Sequence, residues 1–174
     1  MSLPSRLPRR GALALGLALA FSTLTAAAQG LPEPKGRVIL TVSGQIEQTN
    51  RGKDAAFDMA MLEALPQQSF TTRTPWFDKP MKFTGPLLSD VLAAVKAKGQ
   101  TIKASAINDY TISIPVADAA AHGVIVARLL NDQPMPVREK GPLFVIYPFD
   151  SKAELRSSTY YERSIWQLKR MSIE

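Results

Sequence analysis

The alternation of apolar and polar residues divides most of the chain into short strands separated by turns. Residues 37–43 place Val38, Leu40 and Val42 on one side, which predicts a strand with one buried face. Further strands are predicted over residues 69–73, 81–83, 101–106, 110–114 and 164–173. Asn108 and Asp109 tolerate turn conformations, so the runs on either side of them are expected to form a hairpin.

Apolar residues at helical spacing predict three short helices. Asp54 is expected to cap a helix that extends to residue 65. A second helix is predicted to begin at Gly85-Pro86 and to end at Gly99. Pro115 is expected to begin a short alanine-rich helix that ends before Gly123. These elements indicate a mixed α+β fold in which strands dominate and the helices are peripheral.

The stretch 124–148 is the one around which the other elements are organised. Two runs rich in β-branched and aromatic residues, 124–130 and 142–147, predict buried strands that bracket a polar connection. The connection carries Arg138, Lys140 and Gly141, and glycine allows the backbone to approach a neighbour or a ligand closely. Two interpretations are open, namely a solvated charged loop and a rigidly held basic connection that binds an anion.

Residues 1–28 have the composition of a cleaved export signal. Arg6, Arg9 and Arg10 precede an uncharged Leu/Ala run, and residues 26–28 are a small-residue cleavage site. Because of Arg9-Arg10, both Sec export and twin-arginine export remain open. Removing three arginines and no acidic residue lowers the formal charge from +6 to +3, so a nucleic acid partner is not expected. We expect a periplasmic or secreted soluble protein in which residues 29–174 form one domain without a transmembrane segment.

The composition excludes several kinds of catalytic and metal site. The chain has no cysteine, so disulfides, thiolate nucleophiles and iron–sulfur ligation are excluded. His122 is the only histidine and follows a short helix, where a capping or surface role is expected. The carboxylates are scattered over turns, and neither a serine-triad motif nor a glycine-rich phosphate loop is present. No catalytic or metal-ligating residue is therefore predicted.

The candidate binding residues are polar and aromatic side chains on connections between predicted strands. They are Trp76 in the proline-bracketed turn 74–80, Asn108, Asp109 and Tyr110 in the hairpin, Arg138 and Lys140 in the basic connection, and Arg163 before the last strand. Arginine and lysine on rigid loops suit a phosphate or carboxylate ligand. We expect these loops to meet at one sheet edge in a shallow basic pocket with an aromatic wall. Taken singly, each residue also suits a packing, turn-forming or solvated role.

Several motifs, taken in order and spacing, resemble the oxidoreductase molybdopterin-binding domain. They are Trp76-Phe77-Asp78, Phe83-Thr84-Gly85-Pro86-Leu87-Leu88, Asn108-Asp109-Tyr110, Ile114-Pro115, residues 131–136, Lys140-Gly141-Pro142-Leu143 and Trp166. The resemblance covers about residues 70–173 and is nearest to small exported bacterial versions of the domain. It implies the sulfite-oxidase-type fold, which is α+β with a compact, mixed, largely antiparallel sheet core and peripheral helices.

The resemblance also implies a molybdopterin cofactor, whose molybdenum is held in catalytic members by a cysteine thiolate. That cysteine lies in a segment before the tryptophan turn, where this chain has residues 69–72, and Phe144 replaces an arginine usual in the family. We therefore expect a non-catalytic protein without a cofactor, which binds a small anionic ligand or an exported protein partner. The alternative is a molybdopterin-dependent oxidoreductase that holds the cofactor without a cysteine ligand.

Overall fold

The computed structural model describes residues 30–174, so the predicted export signal lies outside the described residues. The strands are β1 (Leu40–Gly44), β2 (Ala55–Phe57), β3 (Gln67–Thr74), β4 (Phe77–Pro86), β5 (Thr101–Ala106), β6 (Thr111–Pro115), β7 (Ile125–Ala127), β8 (Leu129–Leu130), β9 (Gln133–Pro134), β10 (Phe144–Ile146), β11 (Ile165–Trp166) and β12 (Leu168–Ile173). The helices are α1 (Met59–Ala64), α2 (Leu88–Ala94), α3 (Val116–Ala121) and α4 (Ser158–Glu162). No helix in this part of the chain is long and apolar enough to cross a membrane.

The strands form three sheets around one apolar core. A five-stranded sheet has the order β2-β1-β12-β5-β6, a four-stranded sheet the order β3-β4-β8-β9, and a three-stranded sheet the order β11-β10-β7. β1 and β12 pair in parallel, and the other strand pairs are antiparallel. The predicted α+β class with a largely antiparallel sheet core is therefore confirmed.

Two runs that the sequence pattern predicts as single strands each divide into two strands, which belong to different sheets. Residues 124–130 break at Arg128, whose backbone N–H donates to the carbonyl of Thr84 (2.8 Å), so β7 pairs with β10 while β8 pairs with β4. Residues 164–173 break at Gln167, which has a positive φ of 54°, so β11 pairs with β10 while β12 joins the five-stranded sheet. Apolar residues continue on both sides of each break, and for that reason the pattern did not reveal the breaks.

The first predicted helix begins later than its pattern suggested, because residues 55–57 form a buried strand. The N-cap is Asp58 and not Asp54: Oδ1 of Asp58 accepts from the N–H of Met61 (2.9 Å), and its Oδ2 accepts from the N–H groups of Lys35 (2.8 Å) and Gly36 (2.7 Å). The bond from Gly36, followed by that from Met61, stabilises the carboxylate and holds the pKa of Asp58 below its usual range.

The second predicted helix is shorter at both ends than expected. Gly85 and Pro86 end β4, and α2 begins at Leu88. A Cβ on Gly85 would collide with the carbonyl of Val126, so glycine is required here because β4 passes close to β7. The helix ends before Gly99, because the carbonyl of Val95 accepts from the N–H groups of Glu47 and Gln48 at 3.0 and 3.1 Å. The predicted hairpin around Asn108 and the helix after Pro115 are confirmed.

Candidate functional site

Trp76 lies at the turn of the β3–β4 hairpin, at the centre of an aromatic cluster. Its ring centroid is 5.6 Å from those of Phe144 and Trp166, 6.1 Å from that of Phe149 and 6.2 Å from that of Tyr161. Tilted and edge-to-face arrangements predominate, which is the geometry that aromatic quadrupoles favour. The cluster joins the hairpin turn, β10, β11 and α4, and so gives this face of the protein a rigid aromatic base.

A cavity of about 470 Å³ opens beside this cluster. Its aromatic walls are Trp76, Tyr110, Tyr161 and Trp166, which come from the β3–β4 turn, the residue before β6, α4 and β11. Segments that are distant in the sequence, from Trp76 to Trp166, therefore line the same cavity. Flat electron-rich rings on several sides suit a small planar molecule.

The polar side chains that line the cavity are Asn108, Ser158, Glu162 and Ser164. Asn108 is fixed by the hairpin turn, in which its Oδ1 accepts from the N–H of Tyr110 (3.2 Å). Ser164 is only 5% exposed, and its Oγ donates to the carbonyl of Tyr160 (3.0 Å). Glu162 is the only charged residue among the described residues that line this cavity.

The basic turn at residues 137–140 lies next to the cavity. The ammonium of Lys140 is 4.1 Å from the ring centroid of Trp166 and 5.6 Å from that of Phe77, a cation–π arrangement. Lys140 makes no ion pair with a carboxylate within residues 30–174. Arg138, in the same turn, has a side chain that is 83% exposed and contacts Glu139 at 3.3 Å.

This turn is held in place by backbone contacts. The amide N–H of Gln167 donates to the carbonyl of Lys140 (3.0 Å), and its side-chain Nε2 donates to the carbonyl of Val137 (2.7 Å). A Cβ on Gly141 would collide with the carbonyl of Met135, so this glycine permits the close approach to a neighbour that the sequence suggested. Lys140 therefore projects from a fixed turn.

Arg163 does not line the aromatic cavity and is instead paired with the buried carboxylate of Asp118 on α3. Its Nη1 donates to Oδ2 of Asp118 at 2.9 Å, and the same oxygen accepts from the hydroxyl of Tyr147 at 2.7 Å. Burial first, and then the hydrogen bond to Asp118, raise the pKa of Tyr147 well above its usual range. Arg163 also lies over the ring of Tyr160, whose hydroxyl is 3.2 Å from Nε2 of His122. His122 is the C-cap of α3, so both contacts hold α4 against α3.

The structure thus brings some of the sequence-predicted residues together and separates others. Trp76, Asn108 and Tyr110 line the cavity, and Lys140 lies on one of its rings. Asp109 occupies the turn with a positive φ of 65°, Arg138 is exposed, and Arg163 is ion-paired with Asp118. Sequence reasoning missed Tyr161, Glu162 and the other residues that α4 and the segment after it contribute. The signal for them was the Tyr160-Tyr161 pair in an otherwise polar stretch.

The described residues form an α+β fold with one apolar core and a cavity with aromatic walls. A family model for the oxidoreductase molybdopterin binding domain matches residues 39–151, which is more than half of the chain. This protein belongs to that family, as its motifs suggested. No curated protein matches the chain in a sequence comparison.

Among solved structures, the crystal structure of the sulfane dehydrogenase SoxCD from Paracoccus pantotrophus has a similar fold. The TM-score is 0.58 at 17% identity, over 77% of this chain and 37% of that chain. At this level of identity the similarity shows the fold, and the sulfite-oxidase-type fold expected from the motifs is confirmed. This chain spans little more than a third of that chain's length.

The family implies a molybdopterin cofactor, and the residues present do not fit a molybdenum ion held by the protein. The chain has no cysteine, and residues 30–174 contain no group of three His, Cys, Asp or Glu side chains placed to hold a metal ion. In residues 69–72, where the resemblance places the family's cysteine, Thr72 is buried. Its hydroxyl accepts from the N–H of Asp150 (3.0 Å) and donates to the carbonyl of Arg73 (3.3 Å). This oxygen is already engaged by backbone groups, and it is a hard donor, unlike the soft thiolate that the family resemblance implies as the molybdenum ligand.

Proposed function

We propose that this protein is a non-catalytic member of the molybdopterin-binding domain family that binds a small planar anionic ligand in its aromatic cavity. The observation that carries the proposal is the combination of four aromatic walls with the ammonium of Lys140, which rests 4.1 Å from the ring of Trp166. The absence of any cysteine supports the non-catalytic part of the proposal.

In this proposal the rings of Trp76, Tyr161 and Trp166 hold the flat part of the ligand, and Lys140 attracts its negative group. Lys140 suits this role because it is half-buried and is screened less by salt than a fully exposed lysine. The amide of Asn108 orients the ligand at the hairpin edge of the cavity.

The two tryptophans of the chain provide the readout, because both of them line the cavity. A calorimetric titration of the mature protein with indole-5-carboxylate should show saturable binding. Benzofuran-5-carboxylate has no indole ring, so its titration can also be followed by tryptophan fluorescence. Binding should change the tryptophan emission. Absence of binding by planar carboxylates at millimolar concentration would contradict the proposal.

A second candidate is a molybdopterin-dependent oxidoreductase that holds its cofactor without a cysteine ligand, and the family match over residues 39–151 favours it. The two candidates differ in metal content. Mature protein produced in a host that makes the cofactor should contain neither molybdenum nor a pterin fluorophore if the first proposal holds. Stoichiometric cofactor together with oxidoreductase turnover would establish the second candidate instead.

A protein partner is a further candidate occupant of this face. Ile107, Tyr110 and Val137 are the large hydrophobic residues that are strongly exposed in the described part of the chain. Gln167 connects two of them, because its carbonyl accepts from the N–H of Ile107 and its side chain donates to the carbonyl of Val137. A partner that co-purifies with the wild-type chain, and is lost from Val137→Asp while planar carboxylates still bind, would support this candidate.

We also propose that the protein is exported to the periplasm or secreted, on the basis of residues 1–28. Cell fractionation and N-terminal sequencing should locate a mature form that begins near Gln29. A cytoplasmic protein that retains Met1 would contradict this. Substitution of Arg9-Arg10 by Lys-Lys should block export only if the twin-arginine route is used.

A further inference from the structure

β3 is an edge strand, and its main-chain groups alternate in direction between its partner β4 and the outside. The register pairs Phe70 of β3 with Phe83 of β4. The next residue of β4, Thr84, faces the other neighbouring strand, because its carbonyl accepts from the N–H of Arg128 just before β8 (2.8 Å). Main-chain groups reverse direction from one residue of a strand to the next, so Phe83 faces β3 and Phe70 faces β4.

The main-chain groups of Gln67, Ser69 and Thr71 therefore face outward. No strand within residues 30–174 pairs with this side of β3, and both Ser69 and Thr71 are exposed. Two residues further on, the outward N–H of Arg73 donates to Oδ2 of Asp150 (2.8 Å), which agrees with this alternation. The carboxylate of Asp150 thus closes one end of the edge and leaves residues 67–71 available.

The outer edges of the other long sheets are protected in the described part of the chain. On β2, the side chain of Asn50 pairs with Ala56: its Oδ1 accepts from the N–H (2.7 Å) and its Nδ2 donates to the carbonyl (2.9 Å). β6 ends at Pro115, and β9 has two residues and ends at Pro134. Proteins commonly prevent unwanted strand pairing with prolines, charges or short edge strands. Residues 67–71 contain no proline and no charge, so this edge is suited to pairing.

We propose that β3 pairs in antiparallel orientation with β3 of a second copy of this chain, across a two-fold axis. With Ser69 of one copy opposite Ser69 of the other, Gln67 lies opposite Thr71, and all three outward-facing residues are paired. Each such pair exchanges two main-chain hydrogen bonds, so about six bonds form and two four-stranded sheets become one sheet of eight strands.

The charges at the two ends of the edge favour this antiparallel orientation. Arg73 lies at one end, is exposed and makes no ion pair within residues 30–174. Glu63 lies beside the other end, since its carbonyl is 3.5 Å from Nε2 of Gln67, and its side chain is 48% exposed. The two-fold axis brings Arg73 of each copy toward Glu63 of the other. Five residues from each copy make a small interface, so the dimer is weak and reversible.

Sedimentation equilibrium tests the association on the mature protein. The mass should rise from that of one chain at about 10 μM to nearly that of two chains at about 1 mM. Amide hydrogen exchange locates the contact. At the higher concentration the N–H groups of Ser69 and Thr71 should exchange about fivefold more slowly, because most chains are then paired. The N–H of Phe70, which faces β4, should exchange at the same rate at both concentrations.

Ser69→Pro removes the central outward N–H and should abolish the dimer. Proline is tolerated on an edge strand where the N–H faces solvent, so the variant should keep the fold. Ser113→Pro is the matched control, because it makes the same exchange on another edge strand, β6. Ser113 also faces outward there, since the carbonyl of Tyr110 accepts from the N–H of Ala106 in β5 (2.9 Å) and directions alternate from that residue. This control should still form the dimer.

Three results would overturn the proposal. The first is the mass of a single chain at about 1 mM. The second is a dimer that persists in Ser69→Pro or is lost in Ser113→Pro, because the interface would then lie elsewhere. The third applies even if Ser69→Pro does not fold: equal exchange of the Ser69 and Thr71 amides in wild type at both concentrations would show that β3 is not paired.

Discussion

The two sides of α4 carry similar side chains and use them in opposite ways. On the side facing α3, Tyr160 and the following Arg163 contact His122 and Asp118. On the side facing the cavity, Tyr161 and Glu162 make no such polar contact within the described residues. Polar groups that are buried and mutually satisfied fix a structure, whereas polar groups left available beside an aromatic cavity can bind a ligand. The type of residue alone does not distinguish the two roles.

The largest expected effect comes from removing the central acceptor on the buried side. Asp118→Ala would leave Arg163 and the hydroxyl of Tyr147 without their shared partner, and should lower the free energy of unfolding by about 3 kcal/mol. Arg163 is 28% exposed, so water would partly solvate its charge and the loss should not exceed this value greatly. Urea denaturation measures it. Glu162→Ala, on the opposite side of α4, should change stability by less than about 0.5 kcal/mol. Equal effects of the two substitutions would remove the distinction between the two sides.

On the ligand side, Lys140→Gln should weaken the binding of planar carboxylates by about tenfold, because one charge-assisted contact is lost. The same substitution should change the free energy of unfolding by no more than about 1 kcal/mol relative to wild type, because this is the usual strength of a partly exposed cation–π contact. Lys169→Gln, an exposed lysine on β12, is the matched control and should leave affinity unchanged. If the two variants bind alike, Lys140 serves only to cover the ring of Trp166.

The buried side also predicts a specific dependence of stability on pH. Because the pKa of Tyr147 is raised in the folded state, its proton is held more tightly there than in the unfolded chain. The contribution of Tyr147 to the free energy of unfolding is therefore fully present below about pH 10, the pKa of tyrosine in the unfolded chain. It is lost as the pH rises above that value. Tyr147→Phe should lower stability by about 1 kcal/mol at neutral pH and should flatten the decline seen above pH 10. An unchanged alkaline decline in this variant would assign that decline to other groups.

The smallest effect is expected from the exposed end of the basic turn. Arg138 is 83% exposed and contacts only Glu139 among its charged neighbours in the described chain, so its charge is strongly screened. Arg138→Ala should weaken the binding of planar carboxylates by at most about fivefold, and this reduction should disappear in high salt. A loss as large as that for Lys140→Gln would mean that Arg138 contacts the ligand directly.

Much of the fold could be predicted from local patterns. The β5–β6 hairpin, the helix after Pro115 and the α+β class follow from alternation, from turn residues and from proline at a helix start. The order of the motifs between Trp76 and Trp166 was sufficient to indicate the family. For the site, Trp76, Asn108 and Tyr110 were identified because they stand on connections between buried strands, and all three line the cavity.

The sequence by itself determined the α+β class, the β5–β6 hairpin, the helix after Pro115, and that no thiolate is available to a metal. Only the tertiary structure decided that residues 124–130 and 164–173 each divide between two sheets. It also decided that Arg163 pairs with Asp118 while Lys140 lies on Trp166. The physical reason is the range of the interactions. Periodicity reports the burial of one element, whereas Asp118 and its partners Tyr147 and Arg163 are separated by 29 and 45 residues. Which of these two cations is neutralised depends on that distant carboxylate, and no local pattern contains it.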